Sequence, residues 1–242
     1  MISAECQTDS IRTVLSRGYV ELEDGSTRKI ADGVTLDEAH QLSDLVQSRD
    51  CQVTAETGVA CGVSTLAICM GLERSGRPDF RHFGIDPNQL TTYGGAAVQL
   101  LRQHGLERHF ELLNGPTHLE APKLLERHVS LDFAFIDGWH TFDYTLLDFF
   151  YMDKLLKAGG VLGFHDSYGP AKRKVASFLL THRRYRRLPV RRTPFRPWIK
   201  SLAAGLLYSD ASAIYRLDRL PALCFYEKLE SWEPNYDFYA RF

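Results

Sequence analysis

Two apolar runs that stop abruptly on an acid and an imidazole constrain this chain more than anything else in it. They are Phe133-Ala134-Phe135-Ile136-Asp137-Gly138-Trp139-His140 and Gly159-Gly160-Val161-Leu162-Gly163-Phe164-His165-Asp166. An apolar run with polar residues only at its end predicts a strand buried on both faces, the type found in parallel sheets. Between them, Tyr144 to Leu156 is a helical stretch of the length a right-handed crossover needs. Open α/β sheets bind ligands outside the carboxyl ends of their strands, so these two ends predict an active site.

The rest of the chain keeps the same rhythm. Strands are predicted at 52–56, 80–86, 109–113, 131–137 and 160–165, with a last one at 222–226. Helices are predicted at 64–72, 90–104, 117–126 and 171–180 between and after them. Thr35-Leu36-Asp37-Glu38 is a capping box opening a helix to about Gln47, and a short helix precedes it near Ser10–Arg17. The expected fold is α/β: a doubly wound, mostly parallel Rossmann-like sheet with one antiparallel C-terminal strand and helices on both faces. We expect one domain over 1–242, with an N-terminal helical segment (1–50), a cofactor-binding core (51–180) and a decorated C-terminal part (181–242). A short helix at 199–207 is expected in that last part.

Charge and cysteine usage exclude some classes. A net charge of −1 argues against a general nucleic-acid binder. Five cysteines, without C-x-x-C spacing, predict free thiols in a reducing compartment. With no basic-flanked apolar leader and no long apolar run, the expected location is cytoplasmic, without a membrane span. A homo-oligomer stays open.

Glu56-Thr57-Gly58-Val59-Ala60-Cys61-Gly62-Val63-Ser64 lies where a strand turns into a helix. Its glycines permit positive φ and close backbone approach, and the following helix start favours an anionic group. A dinucleotide loop needs G-x-G-x-x-G, but Ala60 stands where the second glycine falls, and Glu56 would repel pyrophosphate. These two features argue against NAD and a nicotinamide-dependent oxidoreductase. A carboxylate there attracts an amine or a sulfonium, the combination S-adenosylmethionine carries. Gly84-Ile85-Asp86 then ends the next strand in an acid suited to a ribose diol. A surface acid at Glu56 and a helix cap at Asp86 are the plainer alternatives.

The ordered set E-T-G-V-A-C-G-V-S, I-D-P-N, F-I-D-G-W-H and G-G-V-L-G-F-H-D resembles class I S-adenosylmethionine-dependent methyltransferases. More narrowly, it is similar to catechol O-methyltransferase-like enzymes and to bacterial small-molecule O-methyltransferases with a D-G-x-H signature. The resemblance covers about 34–180. It implies that Glu56, Gly58, Gly62 and Ser64 meet the methionine end of the cofactor and that Asp86 holds the ribose. It also sets Asp137 near the methionine amine and Trp139 against the adenine, where a core tryptophan is the alternative. The turn Asn114-Gly115-Pro116-Thr117 lacks the acid or glutamine often found at the adenine.

The same resemblance implies a divalent metal held by Asp137, His165 and Asp166, Mg²⁺ or Mn²⁺ ahead of Fe²⁺ or Zn²⁺. The metal would acidify an acceptor hydroxyl. His140 falls at the family's base position, and an imidazole can take a proton at neutral pH. A helix-capping His140, or His165 as a second base or orienting group, is the competing assignment. The catalytic set is therefore His140, Asp137 and His165. Tyr93, Phe142, Tyr144 and Tyr168 flank the predicted mouth. Arg183, Arg184, Arg186, Arg187, Arg191, Arg192, Arg196 and Lys200 form a basic segment, either a solvated loop or a site for an anionic acceptor. The expected activity is methylation of a hydroxyl on a small molecule: a sugar, phenolic or natural-product intermediate. A cofactor-binding protein without methyl transfer is the alternative outside enzymes.

Overall fold

The computed structural model describes residues 4–31, 33–190 and 221–242. The chain opens with helix α1 (Ala4–Arg17) and a small hairpin, β1 (Tyr19–Glu21) and β2 (Thr27–Lys29). Helix α2 (Leu36–Ser48) follows, and its capping box is present as predicted: Thr35 N donates to Glu38 Oε2 at 2.7 Å, and Thr35 Oγ1 accepts from Glu38 N.

Seven strands then form one sheet: β3 (Val53–Thr57), β4 (Arg81–Ile85), β5 (Phe110–Leu113), β6 (Leu131–Ile136), β7 (Leu156–Phe164), β8 (Tyr185–Arg187) and β9 (Cys224–Lys228). Their order is β5-β4-β3-β6-β7-β9-β8. Strands β3 to β7 are mutually parallel, and β9 runs antiparallel to both of its neighbours. The crossovers are α3 (Val63–Arg74), α4 (Ala96–Gln103), α5 (Thr117–Glu126) and α6 (Phe142–Leu155), with α7 (Pro170–His182) leading to β8.

Side-chain alternation explains why the central strands look apolar throughout. On β6, Phe133 and Phe135 pack with Leu42, Leu66 and Leu100 from α2, α3 and α4. Ala134 and Ile136, on the other face, pack with Leu124, Phe149 and Val175 from α5, α6 and α7. Burying both faces removes the polar half of the period-two pattern. The fold is the expected doubly wound one with its antiparallel C-terminal strand.

Some boundaries differ from expectation. The helix predicted from Leu90 starts only at Ala96, because Gly94 and Gly95 take φ of +59° and +78° and break the run. Strand β8 was not foreseen, since its three residues sit inside the arginine segment and carry no apolar pattern. The helix expected at 199–207 lies outside the described residues. Among the described residues no helix is long and apolar enough to cross a membrane.

Candidate active site

The hydrogen-bond ladder of the sheet continues one rung past each strand. Gly58 N donates to Ile85 O, Asp86 N to Leu113 O, Asp137 N to Thr57 O and His165 N to Ile136 O, at 2.9–3.2 Å. Thus Gly58, Asp86, Asp137 and His165 form a row along the carboxyl edge, fixed by backbone bonds before any side chain acts.

The glycine loop is strained and tightly held. Gly58, Ala60 and Gly62 all take positive φ (+82°, +47° and +85°). Asp86 Oδ2 accepts from Val59 N and Ala60 N at 3.1 and 2.9 Å, and Gln89 Nε2 donates to Ala60 O at 2.6 Å. A left-handed alanine costs of order 1 kcal/mol, and these bonds over-determine it. A Cβ on Gly58 would lie 2.1 Å from Asp137 O, so the loop rests directly on the Asp137–Gly138 backbone. Asp86 is buried, with Oδ1 accepting from Asn88 N at 2.7 Å. It organises the loop from the rung expected to meet a ribose.

Glu56 is fully buried and turned under the loop. Oε2 accepts from Ser64 Oγ at 2.8 Å, and Oε1 accepts from the Thr65 hydroxyl and faces His82 Nε2 at 3.2 Å. The structure therefore places Glu56 and Ser64 together, bonded to each other, with Glu56 supporting the start of α3. Trp139 is 66% exposed, which removes the core alternative and leaves its ring free at the mouth. Phe142 is also exposed, Tyr144 is half-buried beside His118, Tyr168 donates to Asp166, and Tyr93 packs against the core.

Asp137 is the hub. Its Oδ2 lies 3.1 Å from His165 Nδ1, and its Oδ1 lies 3.3 Å from Lys172 Nζ and 3.6 Å from His140 Nε2. Burial opposes its ionisation, but His165, His140 and Lys172 outweigh that and hold the carboxyl far below the usual range. His165 is buried, with Nε2 also 3.5 Å from Glu38 Oε2. Neither contact is an aligned hydrogen bond; both are close charge contacts. Burial works against the imidazolium, yet Asp137, Glu38 and Asp166 push its pKa up to about 10. With Glu38 near Nε2 and Asp137 and Asp166 near Nδ1, His165 bridges three carboxylates.

The groups brought together at the opening are Asp137, His140 and Asp166, whose ligand atoms lie within 4.8 Å of one another. Asp166 takes φ of +48°, a strained turn that sets its Oδ2 4.0 Å from His140 Nε2. Two carboxylates and one imidazole at that spacing suit a divalent ion such as Mn²⁺ or Mg²⁺. His165, grouped with Asp137 and Asp166 from sequence, lies against both carboxylates, its Nδ1 being 3.1 Å from Asp137 Oδ2 and 3.7 Å from Asp166 Oδ2.

Lys172 and Asp148 were missed by sequence reasoning. Lys172 lies in the first turn of α7, where a cation opposes the helix dipole; that mismatch was the available hint. Asp148 lies on the buried face of α6, accepting from Thr57 Oγ1 at 2.9 Å, with Oδ1 enclosed and without an aligned donor. Burial pushes it up to about 6, with Thr117, Thr57 and Lys172 opposing.

The described arginines of the basic segment are engaged elsewhere. Arg183 pairs with Asp153, Arg184 with Glu230 and Arg186 with Glu227, while Arg187 meets Cys224 Sγ at 3.2 Å. Arg191, Arg192, Arg196 and Lys200 lie outside the described residues.

Residues 55–167 match the family model described as a methyltransferase domain. The chain has the fold of the class I methyltransferases. Among solved structures, the chain is similar to cofactor-bound Rv0187 from MTB (TM-score 0.65, 13% identity, covering 93% of this chain and 90% of that one). It is similar to the O-methyltransferase TomG from Streptomyces achromogenes, involved in tomaymycin synthesis and solved with SAM (TM-score 0.59, 17% identity, 77% and 82% covered). A third is the O-methyltransferase from Bacillus cereus in complex with SAH (TM-score 0.60, 16% identity, 78% and 84% covered). No curated protein sequence matches the chain significantly. The matched segment begins on β3 and ends at Ser167, so it contains the whole row of strand-end residues.

Proposed function

We propose that this protein is a methyltransferase that moves the methyl group of S-adenosylmethionine to a hydroxyl of a small-molecule acceptor. The observation that carries this is the placement of His140: half-exposed, at the opening, with Asp137 Oδ1 and Asp166 Oδ2 within 4.0 Å of its Nε2. The bound cofactor would supply an electrophilic methyl carbon on a sulfonium. The loop at 58–62 would seat its methionine end, Asp86 the ribose and Trp139 the adenine. His140 would accept the acceptor's proton as the new O–C bond forms and the S–C bond breaks. Asp137 and Asp166 would stabilise the imidazolium so produced. The structures of TomG and the Bacillus cereus enzyme, with SAM and SAH, support the choice of cofactor and of oxygen.

A second arrangement is favoured by the spacing of Asp137, His140 and Asp166. These residues would hold a divalent ion, which supplies Lewis acidity toward an acceptor hydroxyl. His140 would then be a ligand and not the base. Sugars, phenols and natural-product intermediates are the acceptor classes to test, and the chain would work as one unit over 1–242.

Calorimetry with S-adenosylhomocysteine and NAD tests the cofactor; heat with NAD alone would overturn it. A panel of phenols and sugars, assayed with and without excess chelator, tests oxygen as the target and separates the two arrangements. Full activity in chelator leaves His140 as the base.

A further inference from the structure

We propose that Glu38, on the N-terminal helix α2, is a positioning residue for methyl transfer, acting through His165 to aim Asp137. This deepens the methyl-transfer reading above and rests on it.

Four buried or half-buried groups follow one another in a line across the site. Glu38 Oε2 lies 3.5 Å from His165 Nε2, His165 Nδ1 lies 3.1 Å from Asp137 Oδ2, and Asp137 Oδ1 lies 3.3 Å from Lys172 Nζ. Glu38, His165 and Lys172 are all buried, so water cannot substitute for a missing partner. In this line the imidazole joins α2 to the sheet edge. With Glu38 on Nε2 and both Asp137 and Asp166 on Nδ1, the ring cannot turn without breaking these contacts. That fixes which oxygen of Asp137 is engaged behind and which one, Oδ1, faces His140.

The cap alone does not require a charge at position 38. Thr35 N needs an acceptor, and a glutamine oxygen at that helix position completes a capping box as well as a carboxylate does. A glutamine cannot offer His165 an ionised oxygen. The carboxylate therefore serves His165 as well as the helix cap. Misplacing a group by about 1 Å can cost about 10²-fold in rate, and partners one layer behind a reacting group typically contribute 10–100-fold.

The test is Glu38→Gln in the full chain, with Leu42→Val as a control that weakens the packing of α2 one turn further on. For Glu38→Gln we expect kcat to fall about 10–100-fold. Its acceptor KM, S-adenosylhomocysteine affinity and melting temperature should stay near wild type. Leu42→Val should lower the melting temperature and leave kcat alone. A Glu38→Gln kcat within about twofold of wild type overturns the proposal, as does a large loss of melting temperature, which would make Glu38 structural. A readout needing no acceptor separates this from failure of the methyl-transfer reading. In ¹⁵N-histidine-labelled protein, the Nε2–H signal of His165 should move in Glu38→Gln and stay put in Leu42→Val. An unmoved signal overturns the proposal whatever the acceptor proves to be.

Discussion

Replacing Asp148 with asparagine should make this protein more stable at neutral pH, although it removes a buried residue bonded beside the active site. The carboxyl has an ordinary value near 3.8 and is pushed up to about 6 by burial, against the pull of Thr117, Thr57 and Lys172. That displacement corresponds to about 3 kcal/mol. Because the folded chain binds this proton more tightly than the unfolded chain, the stabilisation is complete below the unfolded value near 3.8. It is lost as pH rises through about 6. Above that, the folded chain holds an ionised oxygen, Oδ1, in an enclosed space without an aligned donor. Asparagine keeps an oxygen for Thr57 Oγ1 but adds two N–H groups, which takes back part of the gain. A net gain of about 1–2 kcal/mol at pH 7.5 follows, or roughly 2–8 °C in melting temperature for a chain of this size. The assay is thermal and urea unfolding of both proteins at pH 4.5, 6 and 7.5. The difference should shrink toward zero, or reverse, as pH falls. A variant less stable at pH 7.5, or an offset that ignores pH, refutes the reasoning.

Three further outcomes are expected. His140→Ala should lower kcat by about 10²–10⁴-fold, the range for losing a general base, with S-adenosylhomocysteine affinity by calorimetry close to wild type. Asp86→Ala should weaken that affinity by roughly 1.5–3 kcal/mol and raise amide exchange at Val59 and Ala60, whose N–H groups it holds. Gly58→Ala combines a φ of +82° with a methyl 2.1 Å from Asp137 O, and should cost more than about 3 kcal/mol by urea unfolding while abolishing cofactor binding.

The sheet was legible because its strands advertise themselves locally. Phe133–Ile136 and Val161–Phe164 are apolar without interruption, and each stops on the residue that serves as a site rung. The side-chain partners were not legible, because they depend on which distant residues fold against them. Glu56 reads as an acid aimed at a ligand until Thr65 and His82, from two other elements, close around it. His165 looks like a free strand-end imidazole because Glu38, far back in sequence, carries its own local explanation as a helix cap. Lys172 hides in the run Ala171-Lys172-Arg173-Lys174, where one of three cations is buried and nothing in the run itself says which.

The contact of Gly58 with the Asp137–Gly138 backbone has a consequence for redesign. The loop proposed to seat the cofactor and the turn proposed to carry catalysis meet here at main-chain atoms, so neither can be remodelled by side-chain choice without shifting the other. The exposed rim is different: Trp139 and Phe142, just past the Asp137 turn, are exposed. Libraries meant to alter which molecule is methylated should be concentrated on that rim, with the glycine loop and the Asp137 turn kept as an invariant cassette.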